Sequence, residues 1–141
     1  MGLYDIFNIS GSGMAAQSVR LNTTASNIAN ADSVASSTDE TYKARHPVFQ
    51  AVLNGVSANG QANQAQAGVR INGIVESQAA AVARYQPENP IADEKGYVYA
   101  PNINLVEEMA NMISASRSYQ SNVQVANMTK HLLTKTLSLG Q

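Results

Sequence analysis

Large apolar residues recur at intervals of seven along the first thirty positions of the chain. They are Phe7, Met14, Leu21 and Ile28. A seven-residue repeat places such residues in one line along a helix, as in a coiled coil. Small residues form a second line, at Gly11, Ser18 and Ala25, where a partner helix would be able to approach closely. The pattern predicts an N-terminal helix within residues 1–31.

The two ends of this predicted helix carry different signals. Glycines at positions 11 and 13 weaken the first turns, because glycine is a poor helix former. We therefore expect a break or a frayed start, with regular helix from about Met14. Asn30, Ala31 and Asp32 predict where this helix ends.

The last segment of the chain, residues 104–141, carries the strongest helical pattern. One line of residues at intervals of seven comprises Leu105, Met112, Tyr119, Ala126 and Leu133. A second line comprises Met109, Ser116, Val123, Lys130 and Leu137. The two lines alternate at spacings of four and three, which is typical of a coiled-coil seam. Asn104 is placed to cap the helix, with Glu107 and Glu108 in the first turn.

The central residues 32–101 lack this periodicity. Residues 54–68 contain no charge and almost no large apolar side chain, which predicts a flexible loop. Residues 69–77 read as a strand with a bulge at Gly73, and four turn-forming residues follow at Pro87, Pro90, Gly96 and Pro101. The predicted fold class is α+β, mainly α: long N- and C-terminal helices paired as a coiled coil, with a small irregular β-containing central region.

Charge and composition narrow the range of functions. The formal net charge is −1 and charged residues make up 13%, against about 25% in ordinary soluble domains. This balance gives no electrostatic basis for binding nucleic acid. No apolar run reaches the roughly 20 residues of a membrane span, so we expect no direct membrane insertion. The first residues have neither the basic start nor the apolar block of a cleaved secretory signal.

Candidate chemistry is sparse. The chain has no cysteine, and neither His46 nor His131 is accompanied by further residues at metal-ligand spacing. No G-x-S-x-G motif is present. We therefore predict no catalytic, cofactor-binding or metal site, and no enzyme activity. The enzyme alternative is a small hydrolase, which would place His46 or His131 beside a serine in a pocket.

Low charge has a further consequence for the terminal helices. A surface poor in charge and rich in Ala, Ser, Thr and Asn fits either helices that other protein covers or a small domain with an uncharged polar surface. The dozen or so seam side chains bury too little apolar surface to offset the chain entropy lost when about 65 residues become ordered. We therefore expect the terminal helices to be ordered chiefly within an assembly.

Two stretches resemble the flagellar axial proteins, which form the rod, hook and hook-junction of the bacterial flagellum. Residues 14–33, "MAAQSVRLNTTASNIANADS", resemble their N-terminal helix, whose "NIAN" motif is Asn27, Ile28, Ala29 and Asn30 here. Residues 104–123, "NLVEEMANMISASRSYQSNV", are similar to the C-terminal helix and include Glu107, Glu108 and Arg117. The central stretches "GVRINGIVES" and "YQPENPIADEKGYVYAPNIN" narrow the likeness to a proximal-rod member.

The resemblance implies a structural subunit of the proximal rod in the flagellar basal body. Such a subunit is exported unfolded by the flagellar type III apparatus without a cleaved signal, and it polymerises through its terminal helices into a tube that spans the periplasm. The implied partners are copies of itself, other rod proteins and the export apparatus. The alternative is another type III-secreted coiled-coil structural component.

Overall fold

Two long helices flank four strands in the computed structural model, which describes residues 2–56 and 62–139. In chain order the elements are α1 (Leu3–Ala29), β1 (Arg45–Val56), β2 (Ala62–Glu76), β3 (Val82–Tyr85), β4 (Tyr97–Ala100) and α2 (Leu105–Leu139). The predicted α+β class, with helices at both ends and a small β region between them, is confirmed.

The helices α1 and α2 pack against each other in antiparallel orientation. Gly13 lies beside Asn122, and Arg20, further along α1, bonds Asn111, which lies earlier in α2. Helix α1 is continuous from Leu3, so the expected break before Met14 is wrong. Packing against α2 stabilises this part of the helix despite the low helix propensity of the two glycines.

The helix ends follow the polar residues that predicted them. Helix α1 ends at Ala29, and the Asn30 N–H donates to the Ser26 carbonyl at 3.1 Å. Helix α2 begins after Asn104, whose Oδ1 accepts hydrogen bonds from the backbone N–H groups of Val106 and Glu107 at 3.1 and 3.3 Å. Both ends are confirmed.

Strands β1 and β2 form a long antiparallel hairpin. Both strands extend into the predicted loop, so the loop is wrong over residues 54–56 and 62–68, while residues 57–61 lie outside the described residues. Pairing with β1 overrides the small, polar composition of this stretch. Val48 pairs with Gly73 and Phe49 with Ile71, so Asn72 is an extra residue and the bulge expected at Gly73 is confirmed.

A second, smaller sheet pairs β3 with β4. Ala35 adds an isolated antiparallel bridge to Tyr99, which connects the segment after α1 to this sheet. Val98 and Ala100 are completely buried and Pro101 is buried beside them. β4 therefore carries the buried apolar residues of this sheet, whereas all four residues of β3 are exposed.

Candidate functional site

Small and polar side chains occupy the contact between α1 and α2, which we call the helix seam. The buried residues of α2 share one face of the helix and are Glu108, Ala115, Ala126 and Thr129. On α1, Ala16 and Thr23 are buried at the spacing of seven that a helix seam requires. With such short side chains in the helix seam, the two helices are able to pack closely.

Two specific contacts fix how the helices meet. The Arg20 guanidinium donates a hydrogen bond from Nη2 to Asn111 Oδ1 at 2.8 Å. A Cβ atom added to Gly13 would lie 2.9 Å from Asn122 Nδ2, so this glycine permits close approach. Polar residues within a helix seam favour one register over its neighbours.

The predicted seam residues divide into three groups. Ala126 is buried. The half-buried members are Met14, Leu21, Ile28, Met112, Val123 and Leu133. The exposed members are Phe7, Leu105, Met109, Tyr119 and Leu137. These five side chains are exposed in the isolated chain, and their role in pairing the helices and in assembly stays a prediction.

The buried positions of α2 differ from one of the two predicted lines. Of the two lines predicted on α2, the one containing Met112 and Ala126 borders the helix seam. The second observed line is displaced by one residue from the prediction and comprises Glu108, Ala115, Asn122 and Thr129. Likewise Ser18 and Ala25 of the small-residue line on α1 are exposed, and Gly13 is the small residue against α2. A search for large apolar residues misses a seam made of small ones.

The outward surface of the helices is correspondingly apolar. Val106, Met109 and Ile113 lie on one side of α2 at spacings of three and four, with 75%, 53% and 56% of their surface exposed. The accessible area of the chain is 9785 Å², whereas a compact monomer of 15.0 kDa has about 7,000 Å². The helices therefore present apolar surface of the kind that marks interaction sites.

Asn27 connects α1 to the hairpin. Its side chain is completely buried, and its Nδ2 donates to the Arg45 carbonyl at 2.9 Å. Its Oδ1 accepts from the Arg45 N–H at 2.9 Å and from the Tyr42 hydroxyl at 3.0 Å. The amide thus pairs with Arg45 as a neighbouring strand would, using both its donor and its acceptor.

Surrounding contacts complete this helix–hairpin joint, which we define as Ser26, Asn27, Tyr42 and Arg45. Tyr42 Oη lies 3.1 Å from Ser26 Oγ, and the Arg45 guanidinium stands 5.7 Å from the centre of the Tyr42 ring. Arg45 also pairs with Glu76 of β2 at 3.5 Å. The joint fixes the start of β1 on the last turns of α1.

The other family-motif residues occupy varied positions. Asn30 Nδ2 donates to the Ser26 carbonyl at 2.8 Å, and Ala29 is exposed. Of the two glutamates in the first turn of α2, Glu107 is exposed and Glu108 is buried; Arg117 is exposed. The sequence pointed to Asn27 through the motif alone. Its partners, Tyr42 and Arg45, had no signal in the periodic pattern.

The turn between β3 and β4 is closed by one carboxylate. Asp93 Oδ1 accepts from the N–H groups of Tyr97 at 2.8 Å and Lys95 at 2.9 Å, and Oδ2 accepts from the Tyr99 hydroxyl at 3.2 Å. The Tyr97 N–H is the main reason that the pKa of Asp93 lies below its ordinary value, and the bond to Asp93 raises the pKa of Tyr99. Gly96 has φ +80°, which favours glycine in this turn.

The described residues offer little for catalysis. His46 and His131 are both exposed, and neither lines any of the three principal pockets formed by the described residues. Within residues 2–56 and 62–139, no group of three or more His, Asp or Glu side chains is arranged to hold a metal ion. In the same part of the chain, neither helix is both long and apolar enough to cross a membrane.

Two protein families match the parts of the chain that form the helix pair. The family described as "Flagella basal body rod protein" matches residues 7–35, and the one described as "Flagellar basal body rod FlgEFG protein C-terminal" matches residues 94–139. The paired terminal helices are thus those of a flagellar basal-body rod protein.

Full-length relatives narrow this class. The chain is similar to the flagellar basal-body rod protein FlgC of Yersinia enterocolitica at 50% identity, of Escherichia coli O6:H1 at 49% and of Salmonella typhimurium at 48%, each over 141 residues and 100% of both chains. The chain therefore belongs to the FlgC family. Membership implies a structural, non-enzymatic component of the basal-body rod.

Proposed function

We propose that this chain polymerises, with copies of itself and with other rod proteins, into the tubular wall of the proximal rod, where it spans the periplasm as part of the drive shaft. The observation that carries this proposal is the exposure of large apolar side chains on the paired helices. In a polymer each helix would place Val106, Met109 and Ile113 against a neighbouring subunit.

The way in which the subunits associate follows from the shape a rod requires. A closed two-fold contact uses the same patch on both copies and stops after two subunits, whereas a contact between two different patches continues. A tube therefore needs a heterologous, head-to-tail contact between successive subunits. We propose that the terminal helices supply one side of it.

Export before folding is the second part of the proposal. The chain would leave through the flagellar type III export apparatus as an unfolded polypeptide, without a cleaved signal. A helix seam of alanine, threonine and asparagine buries little apolar surface, so the paired state is weak until neighbours cover its outer face. The absence of cysteine means that no disulfide opposes unfolding.

Another type III-secreted coiled-coil component is the alternative function. The family matches at both ends of the chain and the full-length relatives favour the rod.

The proposal is tested by placing a charge on the outer face of α2. Ile113→Asp should reduce recovery of the chain in isolated basal bodies at least tenfold and abolish motility, because the carboxylate would be buried against a neighbour without a partner. Ser114→Asp adds the same charge at an exposed polar position and serves as the matched control. Both variants should still appear in the export fraction. Wild-type recovery of Ile113→Asp in basal bodies would contradict the assembly role of this surface.

A further inference from the structure

Between Pro47 and Leu53 of β1, one face of the β1–β2 hairpin carries no charge. Residues that pair across two strands share a face, and alternate residues along a strand share it too. Four such pairs are Pro47–Ile74, Phe49–Ile71, Ala51–Val69 and Leu53–Ala67. We call these eight residues the apolar hairpin face. Phe49 is 41% exposed and Leu53 is 68% exposed.

The apolar hairpin face points away from α1. Val52 and Gly68 pair on the opposite face, and a Cβ atom on Gly68 would lie 3.3 Å from Ser12 Oγ of α1. The Val69 N–H also donates to Ser12 Oγ at 3.2 Å. Helix α1 thus covers the opposite face near this point, and among the described residues no other helix or strand packs on the hairpin.

The nearest charged residues on the same side of the hairpin are two side chains of opposite charge. Arg45 and Glu76 pair at the end where the hairpin joins α1. An uncharged face about 20 Å long, from Pro47 to Leu53 at 3.3 Å per residue, fits a partner surface that is mainly apolar. The excess of accessible area over a compact monomer, roughly 2,700 Å², exceeds the 800 Å² or so that each partner contributes to a stable interface.

The chain itself carries such a partner surface. Val106, Met109 and Ile113 of α2, which we call the α2 stripe, lie on the outer side of the helix with 75%, 53% and 56% of their surface exposed. Arg117 lies one turn beyond Ile113 on the same side. Val125, Met128 and Leu132 further along α2 are less exposed on average, at 39%, 65% and 54%, and are bordered by His131 and Lys135.

The α2 stripe cannot come from the same chain in this fold. Among the described residues α1 contacts α2, β1 and β2, while α2 makes no close contact with either strand of the hairpin. Contact between the apolar hairpin face and an α2 stripe therefore requires two chains. Because the two surfaces differ, the contact is heterologous and repeats from copy to copy.

We infer that the apolar hairpin face of one subunit docks on the α2 stripe of a second copy of this chain. The inference rests on the proposed polymerisation and deepens it, since it names the two surfaces that meet. Asn27 then has a second consequence: by fixing the start of β1 on α1, the helix–hairpin joint directs the apolar hairpin face toward the neighbouring subunit.

Because the native chain has no cysteine, engineered cysteines test this contact directly. Ala51 lies in the apolar hairpin face, and Ala110 lies between Val106 and Ile113 on the helix surface; both alanines are exposed. Chains carrying Ala51→Cys and chains carrying Ala110→Cys would be produced together in cells that lack the native chain. Basal bodies would then be isolated, oxidised and separated without reductant.

A disulfide-linked dimer is expected when Ala51→Cys and Ala110→Cys are present together, and not when either is present alone. Absence of that dimer, a dimer formed by Ala51→Cys alone, or equal linkage of Ala51→Cys to Asn127→Cys near Met128 would overturn the inference. A tagged native chain tests the proposed function separately. Its absence from isolated basal bodies would contradict the proposed polymerisation into the rod as well as the inference.

A charge pair provides a second readout should a cysteine variant fail to incorporate. Phe49→Glu charges the apolar hairpin face, whereas Gln50→Glu charges the opposite face and keeps its reach to Arg70, which Gln50 bonds at 3.1 Å. Recovery in basal bodies should fall at least tenfold for Phe49→Glu and stay within twofold of wild type for Gln50→Glu. Equal recovery of the two variants would contradict docking through this face.

Discussion

The terminal helices and the β3–β4 sheet bury opposite kinds of side chain. In the sheet, Val98 and Ala100 are inside and the turn is closed by hydrogen bonds to Asp93. In the helix pair, alanine, threonine and glutamate are inside, and large residues such as Val106 and Ile113 are outside. The sheet thus buries apolar residues, whereas the helices leave large apolar residues exposed, and in the proposed polymer a neighbouring subunit covers them.

This difference separates what stabilises the isolated chain from what stabilises the assembly. Apolar burial supplies most of the favourable free energy of folding, and the helix seam buries little of it for the length of helix it must order. Changes in the sheet should therefore affect the purified chain, and changes on the helices should affect incorporation into rods.

The largest expected effect comes from breaking the connection between the two regions at Asn27. Asn27→Asp removes the donor to the Arg45 carbonyl and places a charged oxygen beside it, at a cost of about 3 kcal/mol in the assembled state. Recovery of the chain in basal bodies should fall more than tenfold. Asn22→Asp, at an exposed position of α1, is the matched control, and equal recovery of the two variants would contradict the role of the joint.

Removing part of the apolar core of the sheet should destabilise the purified chain. Val98→Ala deletes two methyl groups from a completely buried position and should lower the free energy of unfolding by about 2–3 kcal/mol. Three of the six tyrosines, Tyr85, Tyr97 and Tyr99, belong to this sheet, so its unfolding contributes to the change in near-ultraviolet circular dichroism. Val82→Ala, in the exposed part of β3, should change the transition by less than half as much; similar shifts would show that Val98 is not a core residue.

Close packing of the helix seam is tested by a pair of glycine substitutions. Gly13→Val should cost about 1–3 kcal/mol in the paired state, because its side chain meets Asn122. Gly11→Val changes helix propensity in the same way but has nothing within 4 Å of its Cβ atom. We expect a severalfold lower recovery in basal bodies for Gly13→Val, partly restored by Asn122→Ala. Indistinguishable behaviour of the two valine variants would rule out close approach at Gly13.

A substitution that stabilises the helix pair should increase the helicity of the purified chain. Gln17 Oε1 is buried and has no hydrogen-bond partner among the described residues, which costs about 1–3 kcal/mol. Gln17→Met keeps a similar length without the polar atom, so the purified chain should gain helical signal in far-ultraviolet circular dichroism. Gln120→Met, at an exposed position of α2, is the control; a gain that is no larger for Gln17→Met would contradict a cost from this buried oxygen.

The smallest expected effect is confined to the sheet and depends on pH. The pKa of Asp93 is lowered chiefly by the Tyr97 N–H, so the folded turn favours the carboxylate. That stabilisation is present above the ordinary pKa of 3.8 and is lost as the pH falls through the lower folded value. At pH values below about 4, the thermal midpoint measured by the tyrosine signal should therefore decrease. The decrease should be smaller in Asp93→Asn. An equal decrease of the thermal midpoint in both chains would show that Asp93 does not cause it.

Local signals in the sequence predicted the helices and their ends but not their orientation. Asn104 and Asn30 mark helix ends through bonds to nearby backbone, so a single stretch of sequence contains the information. Which line of α2 faces α1 depends on how closely the helices approach. That is a property of the pair, and it places Ala115, rather than Ser116 of the predicted line, in the buried position.

The central region was harder to predict for the same physical reason. The stretch from 62 to 68 looks like a loop by composition, but it pairs with β1, and Gly68 pairs with Val52, sixteen residues earlier. Asn27 was visible as part of a family motif, while its hydrogen bonds reach Arg45, eighteen residues along the chain. Long-range partners of this kind leave no periodic signal.

Hydrogen exchange tests the central claim most directly, by comparing the purified chain below its association concentration with the chain in isolated basal bodies. The amides of α1 and α2 should exchange rapidly in the purified chain and become protected at least a hundredfold in the rod, while those of β4, around Val98, should be protected in both. Equal protection of the helices in the two samples would mean that the helix pair is stable alone, and would contradict the claim that neighbouring subunits complete it.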